Sequence, residues 1–220
     1  MSIPFDARCM ECHLRRNCAT AEKLGTPEQT TAFAKDLLRL YLSAPEDVAS
    51  PWLSPATTEL FRKHYGLPED RFREEKEESN RFVLERLDAI RSRVAAEKDP
   101  VYAGLQYAVL GNYLDFAALQ GNVSFEKMED MLKEALEMEL DQQVYENLKP
   151  DLQKGKKLLY LTDNAGEIVL DRLFAEQLQK AYPHLEITFC VRGFPVANDA
   201  TREDAEAVGI TFPVIDSGNA

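Results

Sequence analysis

From about residue 26 to residue 146, apolar side chains recur every three or four positions, the spacing of helices that turn one face to a core. Phe33, Leu37, Leu38 and Tyr41 make one stripe, Phe82, Val83, Leu87, Ile90 and Val94 a second, and Phe125, Met128, Leu132 and Leu136 a third. Helix starts and stops frame them. Thr26-Pro27-Glu28-Gln29 is a capping box with proline at the first helical position, Ser54-Pro55 opens a helix that Gly66 can stop, and Asp99-Pro100 breaks the second run. These stripes predict core faces and imply no cofactor.

The pattern changes after Pro150. Lys156 to Thr162 is a short apolar run ending in a turn, Gly166 to Tyr182 is helical, Glu186 to Val191 is a second strand, Thr201 to Val208 a short helix, and Thr211 to Ile215 a third strand. Strand, helix, strand, helix, strand is the order of parallel pairing with crossover helices. The predicted fold is therefore α/β. A Cys-containing segment and helical bundle over residues 1–150 packs on a three-layer α/β/α domain with a parallel Rossmann-like sheet, of which residues 151–220 are the start.

In an open parallel sheet, ligands bind beyond the carboxyl ends of the strands, where loops converge and helix N-termini point. Two polar clusters fall there: Asp163-Asn164-Ala165-Gly166-Glu167 after the first strand, and Asn198-Asp199-Ala200-Thr201 after the second. If the strands are neighbours, Asp163 and Asp199 lie side by side. Two carboxylates brought together with no lysine or arginine between them repel unless a cation neutralises them. Carboxylate and carboxamide oxygens suit hard or borderline divalent ions, which leave positions for water and a phosphate oxygen. Local pattern alone also admits a plainer reading, in which Asp163 and Asn164 form a turn and Asp199 caps a helix.

Composition narrows the field. The formal net charge of −12, from 38 acidic and 26 basic residues, argues against nucleic acid or an anionic membrane surface as partner. No stretch approaches the roughly 18–20 apolar residues that span a bilayer, and the start MSIPFDARCM lacks a signal-peptide core. The expectation is a cytoplasmic protein. Of four cysteines, Cys9, Cys12 and Cys18 cluster near the start; as spacing they suggest zinc, iron–sulfur or a redox pair, and otherwise reduced, packed thiols, since His13 is awkwardly placed and Cys190 is distant for a fourth ligand. His64 and His184 read as helix-end surface residues. Arg192 can reach a substrate phosphate or remain a solvent charge.

Four segments in order also resemble a known family. LTDNAGEIVLDRLF (Leu161 to Phe174) resembles the signature of the damage-control metal-dependent phosphatases, also called the acidic-residue methyltransferase-like family, and VRGFPVANDATREDAEAVG (Val191 to Gly209) is similar to their second motif. LGNYLDFAA (Leu110 to Ala118) resembles the helical Gly-Asn-x-x-Asp segment, and DRFREEKEESN (Asp70 to Asn80) a segment of small stand-alone prokaryotic members. The resemblance implies metal ligands at Asp163, Asn164 and Asp199, with Asn198 and Glu167 beside them. It implies a divalent ion, Mn2+, Co2+, Ni2+ or Mg2+, and hydrolysis of a small phosphorylated metabolite by a metal-activated water or by Asp163. Asn112 and Asp115, three apart on one helix face, are expected to close over the substrate or to form an ordinary polar pair. Gly111 would let another backbone come close.

The family's further strands, its glycine-threonine loop and its lysine-containing segment have no counterpart before Ala220. The expectation is a truncated sheet, with turnover in doubt if the protein ends there. Two other functions compete: an S-adenosylmethionine-dependent carboxyl methyltransferase, which usually calls for a glycine-rich turn where Asp163 to Gly166 has one glycine, and a non-catalytic module with a structural metal.

Overall fold

The computed structural model describes residues 5–113 and 125–218. By contacts the chain divides into two compact units, one built on the chain up to Arg71 with Phe194–Val196, the other on residues 72–193 and 197–217. That division falls at Arg71, whereas residue 150 marks the change from helical to alternating sequence pattern.

The first unit holds α1 (Ala7–Leu24), α2 (Pro27–Ser43), a 3-10 turn (Ser50–Leu53) and α3 (Ser54–Tyr65). Asp6 starts α1 by accepting the Arg8 and Cys9 amides at 2.9 and 3.0 Å. The predicted capping box starts α2, with Thr26 and Gln29 each bonding the other's amide, and α3 stops at Gly66 in the left-handed region. Phe33, Leu37, Tyr41, Leu53 and Phe61 form the core. Leu38 departs from the predicted stripe: it is 45% exposed, because a helix turns 100° per residue and Leu37 already occupies the inward position.

The second unit begins with α4 (Arg73–Leu84), α5 (Leu87–Ala96), α6 (Pro100–Tyr113), α7 (Phe125–Glu134) and α8 (Gln142–Lys154). The apolar run from Phe82 to Val94 reads as one helix but is two. At the junction the Arg86 side chain takes the Phe82 carbonyl at 2.8 Å, and the Arg86 amide bonds Val83 instead, which tightens the turn and breaks the register. Helix α8 runs on through Pro150, which only forgoes the bond its missing N–H would have made.

β1 (Lys157–Leu161), α9 (Glu167–Ala181), β2 (Glu186–Val191), α10 (Arg202–Ala207) and β3 (Val214–Asp216) follow. The sheet has the order β1-β2-β3 and both pairings are parallel, as the alternating pattern predicts. β3 starts later than expected, since Pro213 has no N–H for the ladder and contributes only its carbonyl, to the Phe189 amide at 2.8 Å. Helix α9 is buried on several sides: Ile168, Val169, Leu170 and Leu173 join Phe82, Ile90 and Tyr107, while Phe174, Ala175 and Leu178 join Ile187 and Phe189. Helix α6 lies against it so closely that a β-carbon on Gly111 would sit 3.1 Å from the Glu167 Cα. That approach brings Asn112, the next residue, to the end of α9. Among the described residues no helix is long and apolar enough to cross a membrane.

Candidate functional site

The loop after β1 and the loop after β2 are joined by backbone pairing at the carboxyl end of the sheet. Asn164 and Asp199 form an antiparallel bridge, the Ala165 amide donates to the Asn198 carbonyl at 2.9 Å, and the Ala200 amide donates to the Asp163 carbonyl at 2.7 Å. Asp163, Asn164, Asn198 and Asp199 are thus brought together. Asp163 is exposed, while Asn164, Asn198 and Asp199 are buried. The plainer reading of Asp199 as a helix cap does not hold, because Thr201 caps α10 in a capping box with Asp204.

The side chains around these loops are tied in two groups. On one side Asn112 Nδ2 donates to Asp163 Oδ2 at 3.1 Å and to Glu167 Oε2 at 3.2 Å. Glu167 Oε2 also accepts from the Asn164 amide at 3.3 Å and from Asn164 Nδ2 at 3.2 Å. With its nitrogen committed to Glu167, the Asn164 carboxamide keeps Oδ1 as its acceptor atom. On the other side Arg192 Nε donates to Asp199 Oδ2 at 2.6 Å. The two aspartates, read from the sequence as having no cation between them, are not without one: Arg192 balances Asp199 and is not a bare solvent charge. Asp115 lies outside the described residues.

Negative charge concentrates on the Asp163 side. Burial raises the pKa of Glu167 and the charge of Asp163 adds to it, against hydrogen bonds from Asn164 and Asn112 that lower it. Asp171, one helical turn further along α9 and 2% exposed, is pushed well above the carboxylate range by burial first and then by the charges of Glu167 and Asp163. Tyr160 donates to Asp171 Oδ1 at 2.7 Å. Asp171, Tyr160, Glu167 and Asn112 line a cleft of about 530 Å³ together with Leu105, Ala108, Val109, Tyr113, Leu159 and Leu161. Asp171 and Tyr160 are not apparent as site residues in the sequence; their one signal is that Asp171 interrupts an apolar helix pattern four positions after Glu167.

Among the described residues no group of three or more His, Cys, Asp or Glu side chains could hold a metal ion. The candidate donor set is of another kind, two carboxylates and a carboxamide. Its chemistry fits a hard or borderline divalent cation, and a cation there would offset the negative charge that helps raise the pKa of Glu167 and Asp171. The N-terminal cysteines lie in the first unit. All are free thiols, burial raises the pKa of Cys18, which opposes the thiolate that metal or redox chemistry needs, and His13 Nδ1 is engaged with the Tyr41 hydroxyl at 2.6 Å. His64 is not a simple surface residue: it meets Asp36 Oδ2 at 2.9 Å.

A family model described as the damage-control phosphatase ARMT1-like domain matches residues 5–212. An uncharacterized protein of Methanocaldococcus jannaschii is 29% identical over 216 residues, which is 95% of this chain and 69% of that protein. A protein of Archaeoglobus fulgidus named damage-control phosphatase is 33% identical over 150 residues, 67% of this chain and 51% of its own length. The crystal structure of a DUF89 family protein from Pyrococcus horikoshii matches with a TM-score of 0.77 at 22% identity, covering 99% of this chain and 75% of that one. This last likeness establishes the shared fold.

Proposed function

The chain belongs to the damage-control phosphatase ARMT1-like family, and from that premise we propose that it takes part in divalent-metal-dependent hydrolysis of a small phosphate monoester, with Asp163, Asn164 and Asp199 as the metal ligands. The observation that carries the reading is the Asn164–Asp199 bridge, which joins the two loops that bear these three residues, in a chain whose residues 5–212 match the phosphatase family model.

When bound, a divalent ion supplies charge stabilisation for the phosphoryl group and a more acidic water. The protein's own residues set the geometry. Glu167 holds the Asn164 carboxamide by its nitrogen, so that its oxygen is the atom that would hold an ion. Asn112 fixes Asp163 Oδ2, and Arg192 fixes Asp199 Oδ2. Hydrogen bonds of this kind orient ligands and tune their basicity. The cleft beside Glu167 and Asn112 has an apolar wall of Leu105, Ala108 and Val109 on α6, and is the place for the part of the substrate that carries the phosphate.

The test is phosphate release from a panel of phosphate monoesters with Mn2+, Co2+, Ni2+ or Mg2+ added singly. Release should require an added ion and fall by roughly a hundredfold or more in Asp163→Asn and in Asp199→Asn, the scale expected when a group that stabilises developing charge is lost. Release that survives chelation, or persists in both variants, would overturn the assignment, as would no release with any ion.

A further inference from the structure

The segment DRFREEKEESN, most of which forms α4, lies outside the proposed ligand set. Glu74, Glu75, Glu77 and Glu78 are exposed, whereas Lys76, Ser79 and Asn80 are buried. Their i, i+3, i+4 spacing puts all three on one helix face.

That face meets both loops of the site. Asn80 Oδ1 accepts the Gly166 amide at 2.7 Å, and Asn80 Nδ2 donates to Asp204 Oδ1 at 3.1 Å. Lys76 Nζ lies 2.6 Å from Asp204 Oδ2 and 3.5 Å from Thr201 Oγ1. Asp204 Oδ2 in turn accepts the Thr201 amide and hydroxyl, each at 2.8 Å. Gly166 has φ +84°, and a β-carbon there would lie 3.3 Å from the Ser79 Cβ, so the backbone of the first loop is pressed against α4. The contacts are symmetrical in the chain. Gly166 is two residues beyond Asn164, and Thr201 is two residues beyond Asp199.

We infer that Lys76 and Asn80 are positioning residues: together with Asp204 they lock the loop after β1 to the loop after β2 from behind, and so hold Asp163, Asn164 and Asp199 in one ligand geometry. The inference rests on the reading of those three as metal ligands. A buried ion pair adds little net stability compared with well-packed apolar side chains of the same volume. Its directional bonds do what apolar packing cannot, which is to fix the Gly166 amide directly, and the Thr201 amide through Asp204, against a single helix. Asn80 bonds the first loop directly, which makes it the residue to change.

The experiment compares the intact chain with Asn80→Ala, and with Asn80→Ser as a milder form should the alanine variant fail to fold. Ile90→Val, a core change away from the network, serves as the control for general loosening. Hydrogen exchange is followed without metal at the amides of Gly166 and Thr201, and Mn2+ affinity is measured by calorimetry. The Asn80 variants should exchange faster in both loops, by roughly tenfold or more, and their Mn2+ Kd should rise by roughly ten- to a hundredfold, the usual consequence of losing a residue that orients ligands. Ile90→Val should leave the Mn2+ Kd unchanged. A Mn2+ Kd in the Asn80 variants equal to that of the parent chain, or faster exchange in one loop only, overturns the inference. A parent chain that binds no Mn2+ overturns the metal reading itself, and exchange at the two loops then decides whether the lock exists.

Discussion

Asp171 ties a single side chain to a measurable pH dependence. Its Oδ2 has no hydrogen-bond partner among the described residues, and burial, then Glu167 and Asp163, hold its pKa well above the ordinary value. The folded chain therefore keeps a proton at Asp171 that the unfolded chain releases near pH 4, the usual aspartate range. In the window from that range up to the raised pKa the native state binds more protons, so the contribution of Asp171 to stability falls as pH rises. Asp36 works in the opposite sense, since Lys63, His64 and Arg39 hold its pKa well below the ordinary value. The readout is thus the difference between Asp171→Asn and the parent chain. The variant's melting temperature should gain on the parent's as pH is raised from 4 to 8, and parallel curves would count against the assignment. Gly111 gives a second prediction at this scale. Alanine normally favours a helix over glycine by about 1 kcal/mol, but here its β-carbon would meet Glu167 Cγ at 2.9 Å and Cα at 3.1 Å. Overpacking against backbone costs about 1–3 kcal/mol and prevails, so Gly111→Ala should lower the urea midpoint. Both glycine and site were partly legible: the Gly-Asn pair at 111–112 and the two Asp-Asn loops stand out as sequence. Arg192 stood out too, but its partner did not, because nothing in a linear pattern says whether an arginine faces a phosphate or the aspartate seven residues on.

Elements were more legible than their partners. The capping box at Thr26, the glycine stop at Gly66 and the β-α-β-α-β order carry local signals, and each is found in place. Where the reading departs, the cause is a specific side chain: Arg86 splitting one helix into α4 and α5, Pro213 delaying β3. The run REEKEESN looks like a solvated charged face, and four of its glutamates are exposed. What the pattern could not say is that Asn80 meets partners 86 and 124 residues away, since a polar contact across that separation leaves no periodicity to read. A prediction at this scale concerns α2. Removing the Thr26 hydroxyl deletes half of the capping box, and caps of this kind contribute about 1 kcal/mol. Trp52 is the sole tryptophan and lies in the same unit as α2, so its fluorescence reports that unit. Thr26→Ala should move the Trp52 denaturation midpoint to lower urea by about that energy, and an unmoved midpoint would show that the cap is idle.

At the scale of the whole molecule, two compact units each carry their own core, and all proposed metal ligands belong to the second. Sequence hydropathy found residues of both cores but not the division at Arg71, because helices of either unit show the same stripe. The location of the ligands makes a quantitative expectation. An ion that binds only the folded state stabilises it by RT ln(1 + [L]/Kd), about 2.7 kcal/mol at one hundred times Kd. The amides buried deepest in the second unit exchange through its opening, so those of β2, such as Phe189 at 0% exposure, should exchange roughly a hundredfold more slowly with Mn2+ at that concentration. The same addition to Asp163→Asn should give little slowing, since one of the three ligands has lost its charge. Equal slowing in the parent chain and in Asp163→Asn would place the ion elsewhere on an acidic surface of net charge −12. The charge of that surface is screened within about 8 Å at physiological ionic strength, so repeating the measurement in high salt separates the two cases. Slowing that persists in salt belongs to the proposed ligand set, and slowing that disappears belongs to the surface.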